Sequence, residues 1–553
     1  MIGSLPYRWV ALLLLVFPWT GAAQDLSSMK DAKPLALSGN ASLQQGFLFT
    51  RGMEGNRPPY TVMLNGALDV AVFGFHVPLT MTYSNRQASF RQPFNRFSLT
   101  PKYKGLKTYI GYSSMTFSPL TLNGHLFLGA GAELKINEKL AVAAMYGRLR
   151  KEVSTTDSLA REEQSYKRTG HGLKTTYKTS VLTLESVLFK AGDVVTPTSA
   201  NIVEIMPEDN LVVSLKGQVR AFEKVEAGLE QALSIITANK LLTPNDRRAW
   251  LVRNASTTAF TAFSSFLRYK GPFTTGVVYS RTSPGYRTLG AYYFNSDLET
   301  VKLQFQGKVG KKLDFSTELG MQRNNLGEDR VSGTRRLSSG LQASFVPNKQ
   351  FHANASWSNF RSFTNSLMPH ETEEDLDLPG GRDTLIYRQL SSQGNVNLGV
   401  RLPGDRRPQL GAGVTCQVSE EMQGGGAVPG GLFLSGNLSY RLKWGERLKA
   451  GAAMTASVQE GAEVRTYYVG PSLRGGYVSS DKKLRANSGI NVSLSNTAGR
   501  PGPVTLTCRM GGVYTINKKH MVSLRTSVVY RDLPEGAKNT LECRGILGYQ
   551  FKF

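Results

Sequence analysis

The chain has 553 residues, a formal net charge of +25 and 56 glycines, while charged residues make up only 19% of it. That length accommodates two or three ordinary domains or one large barrel. The absence of an apolar run of about 18 residues or more after residue 20 argues against a helical membrane protein. Strands could still cross a membrane, because a closed barrel satisfies its own backbone hydrogen bonds.

The excess of basic residues has two explanations. In a barrel, Lys and Arg would lie at the periplasmic turns and in the lumen, next to membrane lipid and anionic lipopolysaccharide. A nucleic-acid-binding protein would instead show basic clusters interleaved with aromatic residues in a recognisable module. We find no such module, so we expect no nucleic-acid partner.

Residues 1–23 have the pattern of a secretory signal peptide. Arg8 supplies a positive charge, Trp9–Val16 form the apolar run, and Gly21–Ala23 provide a small-residue cleavage site. The apolar run is too short to favour an uncleaved anchor helix. We therefore predict export with removal of this segment, followed by a short periplasmic lead at 24–59 that includes a possible first strand.

The barrel is predicted over residues 60–553: strand-like alternation is continuous from Tyr60, and from residue 95 onward the chain reads as a series of hairpins. Short basic turns recur, for example at 136–140, 309–314 and 516–521, and each joins two strands of about ten residues, enough to cross a tilted bilayer. Longer connections alternate with them at about 150–165, 192–209, 237–254, 323–335, 362–383, 418–431 and 531–540. This pattern predicts an all-β fold, a single large antiparallel transmembrane β-barrel of about 26 strands (range 22–28). The assignment is least clear at 224–236, which could form a strand or a helix, and across 237–300.

The last fourteen residues, TLECRGILGYQFKF, alternate clearly and end on an aromatic residue. One face carries Leu541, Cys543, Gly545, Leu547, Tyr549, Phe551 and Phe553. This ending resembles the closing strand of Gram-negative outer-membrane β-barrels, whose last residue is typically aromatic. The resemblance implies an outer-membrane location, a barrel-closing signal at Tyr549, Phe551 and Phe553, and recognition by the barrel assembly machinery.

The overall plan resembles that of uncharacterised outer-membrane proteins of Bacteroidota-type bacteria. TonB-dependent receptors place a sizeable folded plug before their barrel, and the short segment 24–59 leaves no room for one. The cysteines Cys416, Cys508 and Cys543 are an odd number and fall on the apolar faces of their strands. We expect them to be small lipid-facing side chains and not disulfide partners.

A basic patch is expected in the lumen. Arg474, Arg509, Arg525 and Arg544 fall on the polar faces of the last strands, about four to nine residues from the periplasmic end. They could lie at similar levels, where a row of guanidinium groups would favour anions. Alternatively, they could pair with Glu542, Asp314, Glu318 or carboxylates of the loops and simply fill space, since inward charges are usually paired.

Two further segments leave alternatives open. The Tyr- and Arg-rich residues 278–294 could form an interfacial aromatic girdle with a Pro-Gly turn, or a segment that grips a ligand. The loop 362–383 contains the acidic stretch ETEEDLDLPGGRD, which is either a solvated loop or a divalent-cation site.

No catalytic constellation is visible. None of the six histidines lies in a G-x-S-x-G or H-E-x-x-H context, and the nearest candidate is His125 with Ser118 or Ser113. We therefore expect no enzymatic activity, metal or cofactor. The sequence favours a pore or transport channel for small solutes, with lumen arginines selecting anions. The alternative is a non-conducting structural or interaction barrel that partners an export or surface-assembly complex.

Overall fold

The computed structural model describes residues 35–553, except for the short segments 53–57, 73–74, 86–95, 104, 154–163, 196–204, 241–256, 329–331, 368–383, 424–425, 462–463 and 535–537. The predicted signal peptide and the acidic stretch of the 362–383 loop therefore lie outside the described residues. Strand β1 falls within the segment 24–59, where the sequence left a first strand open.

The described chain forms a closed antiparallel barrel of 26 strands. Two of them, β4 and β24, are interrupted. In chain order the strands are β1 (Leu35–Arg51), β2 (Tyr60–Val72), β3 (Phe75–Ser84), β4 (Arg96–Leu99 and Lys102–Tyr103), β5 (Leu106–Thr116), β6 (Asn123–Lys135), β7 (Leu140–Arg150), β8 (Lys167–Lys178), β9 (Leu182–Val194), β10 (Asp209–Ala221), β11 (Val225–Thr237), β12 (Thr257–Lys270), β13 (Phe273–Thr282), β14 (Leu298–Val309), β15 (Leu313–Arg323), β16 (Ser332–Phe345), β17 (Phe351–Leu367), β18 (Thr384–Arg401), β19 (Gln409–Gln423), β20 (Gly426–Trp444), β21 (Leu448–Glu460), β22 (Arg465–Val478), β23 (Leu484–Thr497), β24 (Arg500–Pro501 and Val504–Thr515), β25 (His520–Asp532) and β26 (Thr540–Lys552).

The last strand closes the barrel by pairing with the first. The β1–β26 ladder runs from Asn40 opposite Lys552 to Arg51 opposite Leu541. The predicted fold class and strand number are thus confirmed, and 224–236 forms a strand, β11. The prediction of a longer connection at 418–431 was wrong. Strand β19 continues to Gln423 and β20 begins at Gly426, with a bulge near Ser419.

The two ends of the barrel differ. At one end, which we call the turn end, short connections such as 136–139 and 516–519 join the strands. At the other, the loop end, most connections are longer, as at 151–166 and 283–297. Among the described residues, no helix is long and apolar enough to span a membrane.

The two faces of the wall also differ, because side chains alternate along each strand and the register keeps each face continuous. The outer face carries exposed large apolar side chains such as Leu438, Leu473 and Met510. Leu438 lies opposite Ala412 on one neighbour and Met454 on the other. The other face is largely polar, and on β5–β12 it is covered by connections that fold into the barrel, so it is the inner face.

The three cysteines lie on the outer face, each without a disulfide. Cys416 is opposite Leu434, while Cys508 and Cys543 are both opposite Val528 on the strand between them. That intervening strand separates the two sulfur atoms by about two strand spacings, too far for a bond.

The buried apolar core lies against one part of the inner wall. It consists of side chains from β5–β9 together with residues of two connections, 117–122 and 283–297. Its members are Tyr109, Met115, Phe117, Leu122, Phe127, Met145, Leu149, Val187, Phe189, Ala191 and Leu289. The barrel is therefore filled on this side by its own connections.

Candidate functional site

A row of arginines crosses the inner wall of β18–β26. Arg401 is opposite Gln409, Gln409 is opposite Arg441, and the same register continues through Gly451, Arg474, Gly489, Arg509, Ser527 and Arg544. We call Arg401, Arg441, Arg474, Arg509 and Arg544 the arginine row. Its members occupy every second strand, so neighbouring backbones are about 10 Å apart.

The row climbs along the barrel. Arg401 is the last residue of β18 at the turn end, Arg441 lies three residues before the end of β20, and Arg474 four before the end of β22. Arg509 lies six residues before the end of β24, and Arg544 eight before the end of β26. A line perpendicular to tilted strands rises around a barrel in this way. The row thus extends from the turn end towards the loop end.

The guanidinium groups of the arginine row are exposed on the inner face. Within the described residues none of them has an ion-pair partner. The intervening positions on the other strands are small or neutral: Gln409, Gly451, Gly489 and Ser527. An uncompensated row of this kind gives the wall a positive potential.

Two of the acidic residues that might have compensated these charges bind lysines elsewhere. Lys302 Nζ lies 2.9 Å from Glu318 Oε1, and Lys308 Nζ lies 3.4 Å from Asp314 Oδ1. Both pairs are on β14 and β15, away from the arginine row. Of the pairings considered from the sequence, those with Asp314 and Glu318 are therefore absent from the described structure.

One cavity on the inner wall lies between two neighbouring members of the arginine row. It has a volume of about 380 Å³ and lies between Arg474 and Arg509, with Gly489 as its floor. Asn487 and Asn491 also line it. Guanidinium N–H groups and side-chain amides are hydrogen-bond donors, so the cavity is suited to a carboxylate or a phosphate.

Three of the four arginines predicted from the sequence belong to the arginine row, and the fourth lies two residues away from it. Arg474, Arg509 and Arg544 share the register row, while Arg525 lies opposite Gly511 and Ile546, two residues nearer the turn end than Ser527. Because the row climbs, its members do not lie at one level. Sequence reasoning did not include Arg401 and Arg441, which also fall on polar faces but are linked to the row only by the register.

The opposite wall is covered by residues 283–297, the connection between β13 and β14, which we call the inward loop. The Tyr286 hydroxyl donates a hydrogen bond to the Leu120 carbonyl oxygen at 2.7 Å, and Thr288 Oγ1 donates to the Thr121 carbonyl oxygen at 2.7 Å. Tyr286 is fully buried, and burial raises the pKa of its phenol above the ordinary value.

The inward loop is also attached to the inner face of β10 and β11. The backbone N–H of Leu289 donates to Asn210 Oδ1 at 3.0 Å, and Ser234 Oγ donates to the Arg287 carbonyl oxygen at 2.6 Å. At Gly290 an added Cβ would lie 2.8 Å from the Thr121 carbonyl oxygen, so only glycine allows this approach. The loop is held against the wall by several independent contacts.

An ion cluster centred on Asp193 stabilises the same side. Arg168 donates two hydrogen bonds to the fully buried Asp193 carboxylate, from Nε at 2.7 Å and from Nη2 at 2.8 Å. Arg150 Nη2 lies 3.2 Å from Asp193 Oδ1. Arg168 also contacts Glu208 at 3.1 Å, and Glu208 pairs with Arg287 of the inward loop. The cluster thus connects three barrel strands, β7, β8 and β9, to the inward loop.

The segment 278–294 divides between the two faces. Tyr279 lies on the outer face beside Phe263, with ring centroids 5.8 Å apart, as an aromatic girdle would require. Tyr286 instead lies inside the barrel, where its ring contacts Phe294 at 5.1 Å between centroids. The interpretation of this segment as an aromatic girdle therefore applies only to its part in β13.

His125 is part of the same packed wall. Its ring stacks on Tyr292 at 4.1 Å between centroids, and Nδ1 lies 2.8 Å from the Leu126 carbonyl oxygen. Among the described residues it makes no hydrogen bond to Ser118 or Ser113. No group of three or more metal-ligating side chains occurs in the part of the chain that the structure describes.

The predicted barrel-closing residues lie at the β1–β26 seam. Phe551 and Phe553 contact each other at 5.3 Å between centroids, and the backbone N–H of Phe553 donates to the Gly39 carbonyl oxygen at 3.2 Å. The Tyr549 hydroxyl lies 2.6 Å from His520 Nδ1 at the turn end. These residues join the first and last strands.

The two opposite walls of the barrel differ, because one is packed against the inward loop and the other carries exposed arginines. The arginine row is centred on β22, which is thirteen strands from β9 in a barrel of 26 and therefore faces it across the lumen. The inward loop narrows the side around β9 and leaves the arginine row uncovered.

No protein-family model and no curated protein matches the chain. Solved structures with some similarity were found. The siderophore receptor PirA from Pseudomonas aeruginosa is 10% identical, with a TM-score of 0.38 over 93% of this chain and 80% of that one. The copper transporter OprC is 8% identical, with a TM-score of 0.31 over 95% and 81%. OccK10 from Pseudomonas aeruginosa is 11% identical, with a TM-score of 0.33 over 65% and 98%. At these identities and TM-scores, function has to be inferred from the residues of this chain.

Proposed function

We propose that this protein is an outer-membrane channel that favours small anionic solutes and does not convert them chemically. The apolar outer face lies in lipid, the turn end in the periplasm and the loop end outside the cell. The aromatic closing strand supports this orientation and supports recognition by the barrel assembly machinery.

The arginine row is the observation that carries the proposal. Its guanidinium groups are exposed, lack ion-pair partners in the described residues and follow the barrel wall from one end towards the other. Rings and rows of charged side chains determine which ions enter a pore. An anion can pass from one arginine to the next in steps of about 10 Å.

The barrel is wide enough for solutes larger than simple ions. Strands about 4.8 Å apart and tilted by about 40° give a round barrel of this strand number a backbone diameter of about 50 Å. Side chains and the inward loop reduce that width. The expected solutes are therefore anionic metabolites or short oligosaccharides and not only chloride.

Efflux from proteoliposomes tests the proposal. Vesicles containing the refolded protein are loaded with a neutral, an anionic or a cationic sugar derivative of matched size. We expect the anionic derivative to leave fastest and the cationic one slowest, with no efflux from protein-free vesicles. Equal efflux rates for the anionic and cationic derivatives would contradict anion selectivity. No efflux from vesicles that contain the folded protein would contradict a channel.

The width of the lumen favours a second function, a structural barrel that holds a partner protein. Among the described residues, the two connections that fold inward lie against β5–β12, and the arginine row on the opposite wall stays exposed. An acidic protein domain could occupy that space and bind the arginine row. This function requires a folded barrel that does not conduct, together with an acidic protein that copurifies from native membranes and is released by high salt.

A further inference from the structure

A second group of arginines lies on the outer face at the loop end of β13–β18. It consists of Arg281, Arg323, Arg335, Arg361 and Arg388, which we call the outer arginine cluster. All five are exposed. The cluster is separate from the arginine row, because side chains on the outer face point away from the lumen.

Register places most of this cluster on one line. Arg281 is opposite Glu299, Glu299 is opposite Arg323, Arg323 is opposite Arg335, Arg335 is opposite Phe363, and Phe363 is opposite Arg388. Arg361 lies two residues from Phe363 on the same face. From β13 to β18 the line spans about 24 Å.

The cluster borders the apolar band. On each strand of the line from β13 to β16, and on β18, the next outer-face residue towards the turn end is apolar or aromatic: Tyr279, Val301, Met321, Leu337 and Leu390. The arginines thus lie where a hydrocarbon layer on the outer face would end and its headgroups would begin.

Charge is not balanced within the described cluster. Glu299 pairs with Arg323, accepts a hydrogen bond from Tyr279 at 2.7 Å, and lies 3.8 Å from Arg281. Arg335 is directly opposite Arg323, and like charges in that arrangement repel. The described residues provide no carboxylate partner for Arg335, and the Arg388 guanidinium lies over the Phe363 ring at 4.9 Å. The described part of this surface therefore carries an excess of positive charge, which bound anions would neutralise.

We propose that the outer arginine cluster binds the phosphate groups of a phosphorylated glycolipid in the outer leaflet, whose acyl chains cover the adjacent apolar band. Guanidinium groups bind phosphate with two parallel hydrogen bonds. A phospholipid presents one phosphate, whereas a glycolipid with phosphates at both ends of its sugar headgroup contacts several arginines along the line. The proposal concerns the outer face alone and holds whether or not the lumen conducts.

Retention of native lipid provides the first test. The wild-type protein, the Arg323→Gln/Arg335→Gln variant and the Arg474→Gln/Arg509→Gln variant are purified from outer membranes in mild detergent. Bound glycolipid is then measured by native mass spectrometry. We expect a several-fold loss for the outer variant and no loss for the lumen variant, which removes the same charge from the other face. Equal retention by all three proteins would overturn the site.

A second measurement uses only the delipidated wild-type protein. It is refolded into zwitterionic vesicles alone, with bisphosphorylated glycolipid, with phosphatidylglycerol, or with inorganic pyrophosphate in solution. We expect the glycolipid to raise the unfolding temperature most. If phosphatidylglycerol or pyrophosphate raises it equally, the assignment to a glycolipid is wrong.

Discussion

Arg474 and Arg509 lie on either side of one glycine. Gly489 is the register partner of both, so the two arginines face each other across β23 over a cavity of about 380 Å³. Their backbones are about 10 Å apart, close enough for one multivalent anion to contact both side chains. This part of the arginine row therefore offers an anion two guanidinium groups on one stretch of the inner wall.

A carboxylate placed at this glycine should reduce anion selectivity. The Cβ of Gly489→Asp would lie no closer than 3.6 Å to its nearest neighbour, the Leu473 carbonyl oxygen, so the side chain fits. Its carboxylate would pair with one or both arginines. We expect a lower ratio of anionic to neutral efflux from proteoliposomes.

Gly340→Asp is the matched control for that substitution. Gly340 is on β16, and the nearest atom to its added Cβ is 3.9 Å away. The position faces the lumen but is distant from the arginine row. If both variants change the efflux ratio equally, the effect belongs to lumen charge in general and not to the arginine row.

Salt should weaken the anion preference in a defined range. The Debye length falls from about 10 Å at 0.1 M ionic strength to about 3 Å at 1 M. The first value matches the spacing within the arginine row, so the fields of neighbouring guanidinium groups overlap only at low salt. We expect the ratio of the exchange rates of a labelled anionic sugar and a labelled neutral sugar to approach one in about 1 M salt. A preference independent of salt would contradict electrostatic selection.

The inward loop should limit the open width of the channel. Tyr286→Ala removes a fully buried ring and its hydrogen bond to Leu120, at a local cost of about 3–5 kcal/mol. We expect larger or noisier single-channel currents, because the loop then leaves the wall. Tyr286→Phe retains the ring and loses about 1 kcal/mol, so its currents should resemble those of the wild type. Unchanged currents in Tyr286→Ala would show that the loop does not narrow the passage.

The ion cluster should contribute mainly to stability. Asp193→Asn leaves Arg150 and Arg168 without their shared buried carboxylate, which we expect to lower the free energy of unfolding by about 3 kcal/mol. Urea unfolding in detergent or lipid measures this difference. Asp481→Asn, in an exposed turn, is the control and should have little effect. Equal stability of the two variants would mean that the cluster is dispensable.

The sequence predicted the faces of the strands well because alternation is a local property. Placing Arg474, Arg509, Arg525 and Arg544 on polar faces required only the period of two residues. Recognising that Arg401 and Arg441 lie in the same row required knowing which residues pair between several neighbouring strands. That register depends on turns such as 402–408, whose length does not fix which residues pair.

The packed wall could not be predicted for a different reason. The hydrogen bond between Tyr286 and Leu120 joins positions 166 residues apart. A Tyr- and Arg-rich connection has the same composition whether it lies at a membrane interface or folds into a barrel. Only the fit of its side chains against Phe127 and Phe189 on the inner wall determines its location.

The most direct measurement is the reversal potential across a planar bilayer that separates two concentrations of potassium chloride. The wild-type protein, free of its signal segment, should give steady channels whose reversal potential indicates chloride preference. Replacing Arg474, Arg509 and Arg544 together with glutamine should move that potential towards zero, while the Arg323→Gln/Arg335→Gln variant should behave as the wild type. A reversal potential that is the same in all three proteins would contradict selection by the arginine row.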